Sequence, residues 1–243
     1  MPSDAPSPRP GRVVFIGAGP GVADLITVRG AARLREADVV LYDALTDPAL
    51  RELAPDAQWI DVGKRGFDHA VSQGQINQLL LEQAGRHALV VRLKGGDPSL
   101  FGRLEEELVT LQAAGIACEV VPGVTSAVAA AASAQRPLTR RGTGRSVSFA
   151  TAMTRTLDPH ACRSADTEVF YMAGRQLGSL GAQLMAAGWG ADDPVLVVSQ
   201  AGWPDQLQTS HTITTLADAA ATHEGRPTVV IVGAGAAEIQ PLP

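Results

Sequence analysis

Three glycine turns hold most of the chemistry this sequence could support. The first, Gly17-Ala18-Gly19-Pro20-Gly21, follows an apolar run, and its glycines let backbone approach a ligand closely and adopt positive φ. The spacing is GxGxG, so the GxGxxG dinucleotide fingerprint is not met, and Pro20 removes an amide that a pyrophosphate would use. Asp43 follows the next apolar run, roughly where a ribose-binding acid would stand, which keeps a nicotinamide or flavin enzyme open. The second turn, Lys94-Gly95-Gly96-Asp97-Pro98, sets a carboxylate beside open backbone. That suits a ligand bearing hydroxyl or ammonium groups, although Asp97 would equally cap a helix. The third, Val121-Pro122-Gly123-Val124-Thr125-Ser126, offers two hydroxyls that cap a helix or touch a ligand.

A second concentration is of arginine. The 243 residues contain 18 Arg against only Lys64 and Lys94, and Arg136, Arg140, Arg141, Arg145 and Arg155 fall within twenty positions. Planar guanidinium forks suit carboxylates, whereas solvated loop arginines are the plainer account. The net charge of −5 argues against a general nucleic-acid binder. The charge-free stretch from Val120 to Gln135 is too short and too interrupted to span a bilayer, so no membrane anchor is expected.

Cys118 and Cys162 form no CxxC, and His87, His160, His211 and His223 share no ligand spacing, so neither a disulfide framework nor a metal site is expected. Both thiols read as reduced groups of a cytoplasmic protein. Trp189 and Trp203 adjoin glycine or proline and read as loop packing.

Positioning these turns requires alternating strands and helices, the signature of an α/β protein. The β-branched runs predict strands over Val13–Ile16, Val39–Tyr42, Trp59–Val62, Leu89–Leu93 and Ala117–Val121, with helices over Leu25–Glu36, Ser72–Gln83 and Leu104–Ala114. Ser72 and Gln75 have the spacing of a capping box, and Ile76, Leu79 and Leu80 follow as one apolar stripe. Further strands are expected over Ser146–Ala150, Glu168–Met172, Val195–Ser199, Gln208–Thr212 and Thr228–Val232, with helices near Leu177–Ala187 and Leu216–Ala221. The span from Ser199 to Thr212 reads as a hairpin, which brings antiparallel strands into the second half. Residues 1–11 read as a disordered tail, with four prolines in the first ten positions and no signal-peptide pattern. The Arg- and Gly-rich run from Arg136 to Arg145 marks a boundary between an N-terminal domain over 12–138 and a C-terminal domain over 139–243.

In this order the segments resemble the tetrapyrrole methylase superfamily, and within it the uroporphyrinogen-III C-methyltransferase family. The resemblance rests on Val14 to Gly21 with Asp24-Leu25-Ile26-Thr27, on Ala37 to Asp43, and on Val62-Gly63-Lys64-Arg65 with His69, Gln73, Ile76 and Asn77. Arg92 to Pro98 with Phe101-Gly102-Arg103, and Val120 to Ser126, complete it.

The resemblance implies two α/β domains with S-adenosyl-L-methionine in the cleft between them, a homodimer, and release of S-adenosyl-L-homocysteine. The implied reaction places two methyl groups on uroporphyrinogen III, through precorrin-1, to give precorrin-2 for sirohaem, cobalamin or haem d1. Implied cofactor contacts are Pro20, Gly95, Gly96, Asp97, Leu100, Thr125, Ser126, Met172, Ala201, Pro227 and Val229. Asp43 matches a proton acceptor and Lys64 a proton donor. For the substrate's carboxylates the candidates are Arg65, Arg103, Arg140, Arg141 and Arg145, with Arg155 beside them.

Two departures stand out. Thr151-Ala152-Met153 replaces the usual Thr-Gly-His, and Leu104 and Glu105 replace the glycines usual after Phe101-Gly102-Arg103. A methyltransferase acting on a later precorrin is the nearest alternative. A nicotinamide-dependent oxidoreductase and a non-catalytic tetrapyrrole carrier are the more distant ones.

Overall fold

The computed structural model describes residues 11–63, 71–152, 161 and 163–239. The expected N-terminal tail lies outside these residues except for Gly11. The chain divides into two compact units between Val124 and Thr125.

The first unit is an all-parallel sheet of β1 (Arg12–Gly17), β2 (Val39–Tyr42), β3 (Gln58–Asp61), β4 (Leu89–Lys94) and β5 (Cys118–Val121), in the order β3-β2-β4-β1-β5. Parallel strands are covered on both faces, which is why Val13-Val14-Phe15-Ile16 is apolar without alternation. Side chains still alternate between faces. Val13, Phe15, Val39, Leu41 and Val90 pack with Ile76 and Leu80 of α2 (Gln73–Ala84) and Leu111 of α3 (Leu104–Ala113). Val14, Ile16, Val40, Val91 and Leu93 pack instead with Leu34 of α1 (Val28–Arg35) and with Leu50.

The helix after β1 therefore covers one face and the helix after β4 the other, although the two strands are neighbours. In an α/β sheet this reversal is a topological switch point, and the first two glycine turns lie at its carboxyl end.

The capping box of Ser72 and Gln75 starts α2 as the spacing predicts. Helix α1 begins three residues later than expected at its start, because Ala23–Leu25 close into a 3₁₀ turn and the Thr27 hydroxyl accepts the Gly30 amide as N-cap.

The second unit is a mixed sheet of β6 (Val147–Thr151), β7 (Thr167–Tyr171), β8 (Pro194–Ser199), β9 (Leu207–Thr212) and β10 (Thr228–Gly233), in the order β6-β7-β10-β8-β9. β6 and β7 are parallel and the other pairs antiparallel, including the expected β8–β9 hairpin. Phe170, Val195, Val197, Val230 and Val232 face Leu177, Leu180 and Leu184 of α5 (Leu177–Ala186), together with Trp189. Val169, Tyr171, Leu196, Val198, Val229 and Ile231 face the opposite way, against Ala127 and Ala130 of α4 (Ser126–Ser133).

That last contact moves the boundary. The sequence pattern places it after Leu138, whereas the structure places it after Val124, because the small residues of α4 complete the core of the second sheet. The expected helix near Leu216–Ala221 is a 3₁₀ turn over Leu216–Ala219 followed by α6 (Ala220–His223).

Candidate active site

The three turns of the first unit interlock. Gly19 and Gly96 exchange backbone hydrogen bonds, Gly96 donating to the Gly19 carbonyl at 2.7 Å and Gly19 to the Gly96 carbonyl at 3.3 Å. Asp97 joins the second turn to the third, its Oδ2 accepting the Gly123 amide at 2.9 Å while Oδ1 accepts the Ser99 amide at 2.8 Å. Gly17 and Gly123 approach so closely that a Cβ on Gly17 would lie 2.5 Å from the Gly123 Cα and 2.7 Å from the Gly96 carbonyl oxygen. No side chain fits there, and the positive φ of Gly19 (82°) and Gly96 (71°) suits glycine alone. Pro20, Gly95, Gly96, Asp97 and Leu100 are all brought to this edge, each half-buried.

Asp43 stands at the same end, just beyond β2, and the structure gives it a partner that sequence reasoning missed. Arg92 and Lys94 alternate with Val91 and Leu93 along β4, so both basic side chains point to the α2–α3 face. Arg92 donates from Nη2 to Asp43 Oδ1 at 2.6 Å, from Nε to Glu107 Oε1 at 3.3 Å, and from Nη1 to the carbonyls of Leu93 and Leu41 at 3.2 and 3.4 Å. Lys94 Nζ lies 3.1 Å from both oxygens of Glu107, and Gln73 Nε2 donates to the same carboxylate at 3.1 Å. Side-chain exposure falls from 31% at Asp43 to 2% at Arg92, 3% at Lys94 and 0% at Glu107. Burial pushes the Lys94 ammonium below the usual lysine range, with repulsion from Arg92 adding to it and Glu107 opposing. A charged pair at positions i and i+2 of a central strand is the signal that could have revealed this cluster from the sequence.

The second unit gathers its expected residues at one end of its own sheet. β10 runs antiparallel to β7 and β8, so Pro227 and Val229 at its start lie beside Met172 and Ala201 at the ends of the other two. Met172 (φ 57°) and Gln200 (φ 50°) both adopt left-handed backbone, and the Gln200 amide donates to the Pro227 carbonyl at 2.8 Å. Such conformations cost about 1–3 kcal/mol in non-glycine residues and concentrate at ligand sites. Thr125 is the N-cap of α4 but makes no side-chain cap; its hydroxyl pairs with the Tyr171 hydroxyl at 2.7 Å, both residues being buried. Ser126 follows, half-buried, as the first residue of α4. Tyr171 is a further residue that the sequence reading overlooked.

The described arginines each have their own local surroundings. Arg140 donates to the carbonyls of Ala237 and Glu238, as the neighbouring Arg136 does to Ala236, so this pair fastens the segment after β10 rather than presenting a free fork. Arg103 forms a two-pronged pair with Glu106 at 2.7 and 2.6 Å, and Leu104 after it opens α3. Arg141 and Arg145 are exposed beside the Arg140–Gly144 bridge. Lys64, Arg65, His69, Met153 and Arg155 lie outside the described residues. Trp189 is buried in the second core with Arg163 over its ring at 4.8 Å, the packing role expected of it.

Residues 12–219 match the family model described as tetrapyrrole (corrin/porphyrin) methylases. The chain is 41% identical over 233 residues to a uroporphyrinogen-III C-methyltransferase of Synechocystis, covering 92% of this chain and 89% of that protein. It is 42% identical over 223 residues to a sirohaem synthase of Psychrobacter, covering 89% of this chain, but it spans only 45% of that longer relative. Among solved structures, the uroporphyrin-III C-methyl transferase of Thermus thermophilus complexed with S-adenosylhomocysteine matches with a TM-score of 0.80 and 34% identity, over 92% of this chain and 97% of that one. A match that runs through both sheets, and through the turns at the end of each, leaves one assignment: the chain belongs to the tetrapyrrole (corrin/porphyrin) methylase family.

Proposed function

We propose that the protein is an S-adenosylmethionine-dependent methyltransferase that methylates uroporphyrinogen III twice, through precorrin-1, to give precorrin-2 for sirohaem, cobalamin or haem d1. The observation that carries this reading is the interlock of three turns through Gly17, Gly96, Asp97 and Gly123, with Asp43 at the same sheet end. The substrate class comes from the names of the relatives that match over both units.

The residues fit the co-substrate. Glycines 17, 96 and 123 leave bare backbone, and Asp97 retains acceptor directions beyond its two amides for hydroxyl or ammonium groups. Pro20, Gly95, Gly96, Asp97, Leu100, Thr125, Ser126, Met172, Ala201, Pro227 and Val229 would hold it, and it supplies a methyl group already activated on a sulfonium. The protein's task is then alignment, exclusion of water and management of one proton per methylation. Asp43 is the acceptor of that proton: Arg92 holds one carboxylate oxygen, and no described residue donates to the other. Lys64 is the corresponding donor, and Arg65, Arg103, Arg141 and Arg145 are the remaining cations for the substrate's carboxylates. A cytoplasmic homodimer belongs to the same reading.

Anaerobic incubation with S-adenosylmethionine and uroporphyrinogen III, followed by mass analysis of the macrocycle, tests it. Two added methyl groups are expected, and Asp43→Asn and Lys64→Met should lower turnover while leaving S-adenosylhomocysteine affinity nearly intact. No added methyl with S-adenosylhomocysteine still bound would move the substrate to a later precorrin. Binding of NAD without S-adenosylhomocysteine would sink the methyltransferase reading.

A further inference from the structure

The buried charges behind Asp43 do more than join a helix to a sheet. Arg92, Lys94 and Glu107 are almost wholly enclosed, and burying ions is a poor way to stabilise a fold: apolar residues of similar volume often serve as well or better. What the ions provide is direction. Every nitrogen of the Arg92 guanidinium has an acceptor, supplied from three sides by Glu107 of α3, by the Leu41 and Leu93 carbonyls of β2 and β4, and by Asp43. The fork therefore cannot rotate without breaking a buried hydrogen bond, and its outermost nitrogen fixes one oxygen of Asp43, the half-buried member among the four charged groups. Glu107 is the hub, accepting from Arg92, Lys94 and Gln73 at once. The two cations and two carboxylates balance, so the cluster is neutral as a whole and the aim of Asp43 depends on all four.

We propose that Glu107 is a positioning residue for the methylation reaction: through Arg92 it sets where the Asp43 carboxylate points, with Lys94 balancing its charge. This rests on the reading of Asp43 as the proton acceptor.

The test uses the full chain with uroporphyrinogen III and S-adenosylmethionine. Glu107→Gln leaves two enclosed cations facing one amide and can cost the fold, so the charge-balanced Glu107→Gln/Lys94→Met is prepared beside it, and Arg92→Lys keeps the charge without the fork. A displaced catalytic group costs up to about 10²-fold in turnover, and a kcat loss of roughly that size is expected in Arg92→Lys and in the charge-balanced variant, with KM and S-adenosylhomocysteine affinity held within about threefold. In an Asp43→Asn background neither change should lower kcat by more than about twofold further, because residues acting through one group are not additive.

Losses that multiply in the Asp43→Asn background, or full turnover in the charge-balanced variant and in Arg92→Lys, would overturn the proposal and leave Asp43 its role. Full turnover in Asp43→Asn alone would remove the role of Asp43 and the proposal with it. A merely structural cluster would lower the urea midpoint and cofactor affinity together, without a selective loss of kcat.

Discussion

The two sheets secure their loop ends by different means. Behind the turns of the first, the support is built on ion pairs, with Arg92 bridging Asp43 and Glu107 and Lys94 closing on Glu107. At the corresponding end of the second most polar contacts are neutral, with the Arg226 guanidinium a charged member that donates from Nε to Ser199 at 3.2 Å and pairs with Asp205 at 3.1 Å. Thr125 pairs with Tyr171, and His223 sits between Ser199 at 2.9 Å and Thr209 at 2.9 Å, with His211 on Thr209 at 2.8 Å.

The difference fits a division of labour. A largely neutral hydrogen-bonded network is cheap to enclose and holds the shape of the loop ends. Charged groups are expensive to enclose but strongly directional, which suits a unit that holds the half-buried Asp43 carboxylate in one direction.

Removing one member from each network tests the difference most directly. Glu107→Ala leaves the enclosed Lys94 without its carboxylate and Arg92 with Asp43 as its one remaining counter-charge, and breaking a buried ion pair in this way should cost about 3–5 kcal/mol in urea unfolding, if the variant folds at all. A loss below about 1 kcal/mol would mean that water reaches the cluster and that the contrast with the second sheet is false. Tyr171→Phe leaves the Thr125 hydroxyl enclosed without its partner, and a loss of about 1–2 kcal/mol is expected, with a severalfold weaker affinity for S-adenosylhomocysteine by calorimetry. Equal losses in the two variants would erase the distinction between charged and neutral support.

The smallest effect is a pH dependence confined to the second sheet. Burial, reinforced by the charges of His211 and Arg226, holds the His223 pKa below its ordinary value of 6.5. The unfolded chain then takes up a proton before the folded one does. The contribution of His223 is therefore complete above pH 6.5 and declines as the pH falls below it, until the folded imidazole itself protonates. In His223→Gln the fall in urea midpoint between pH 8 and pH 5 should be shallower than in the parent. An unchanged slope would assign that dependence to other groups.

Most of the elements were legible along the chain. Uninterrupted apolar runs mark strands covered on two faces, Ser72 and Gln75 announce the start of α2, and glycine turns follow the strands after which a ligand site is expected. These signals are local: each depends on backbone geometry and side-chain periodicity within about ten residues. The boundary was misread for the same reason. The Arg136–Arg145 run has the composition of a linker, while the alanines of α4 carry no local sign of the sheet they pack against.

The alternation of elements, the bare backbone at the turn glycines and the family to which their order belongs are written in the sequence. Tertiary structure alone decided which distant side chains meet. Asp43 and Arg92 are separated by 49 positions and become neighbours because β2 pairs with β4, and Glu107 reaches both cations only because α3 packs on that face of the sheet. It also turned Arg140 from a substrate candidate into a clasp for the segment after β10. An ion pair depends on distance and dielectric, and neither exists until the strands are in register and the helices have excluded water.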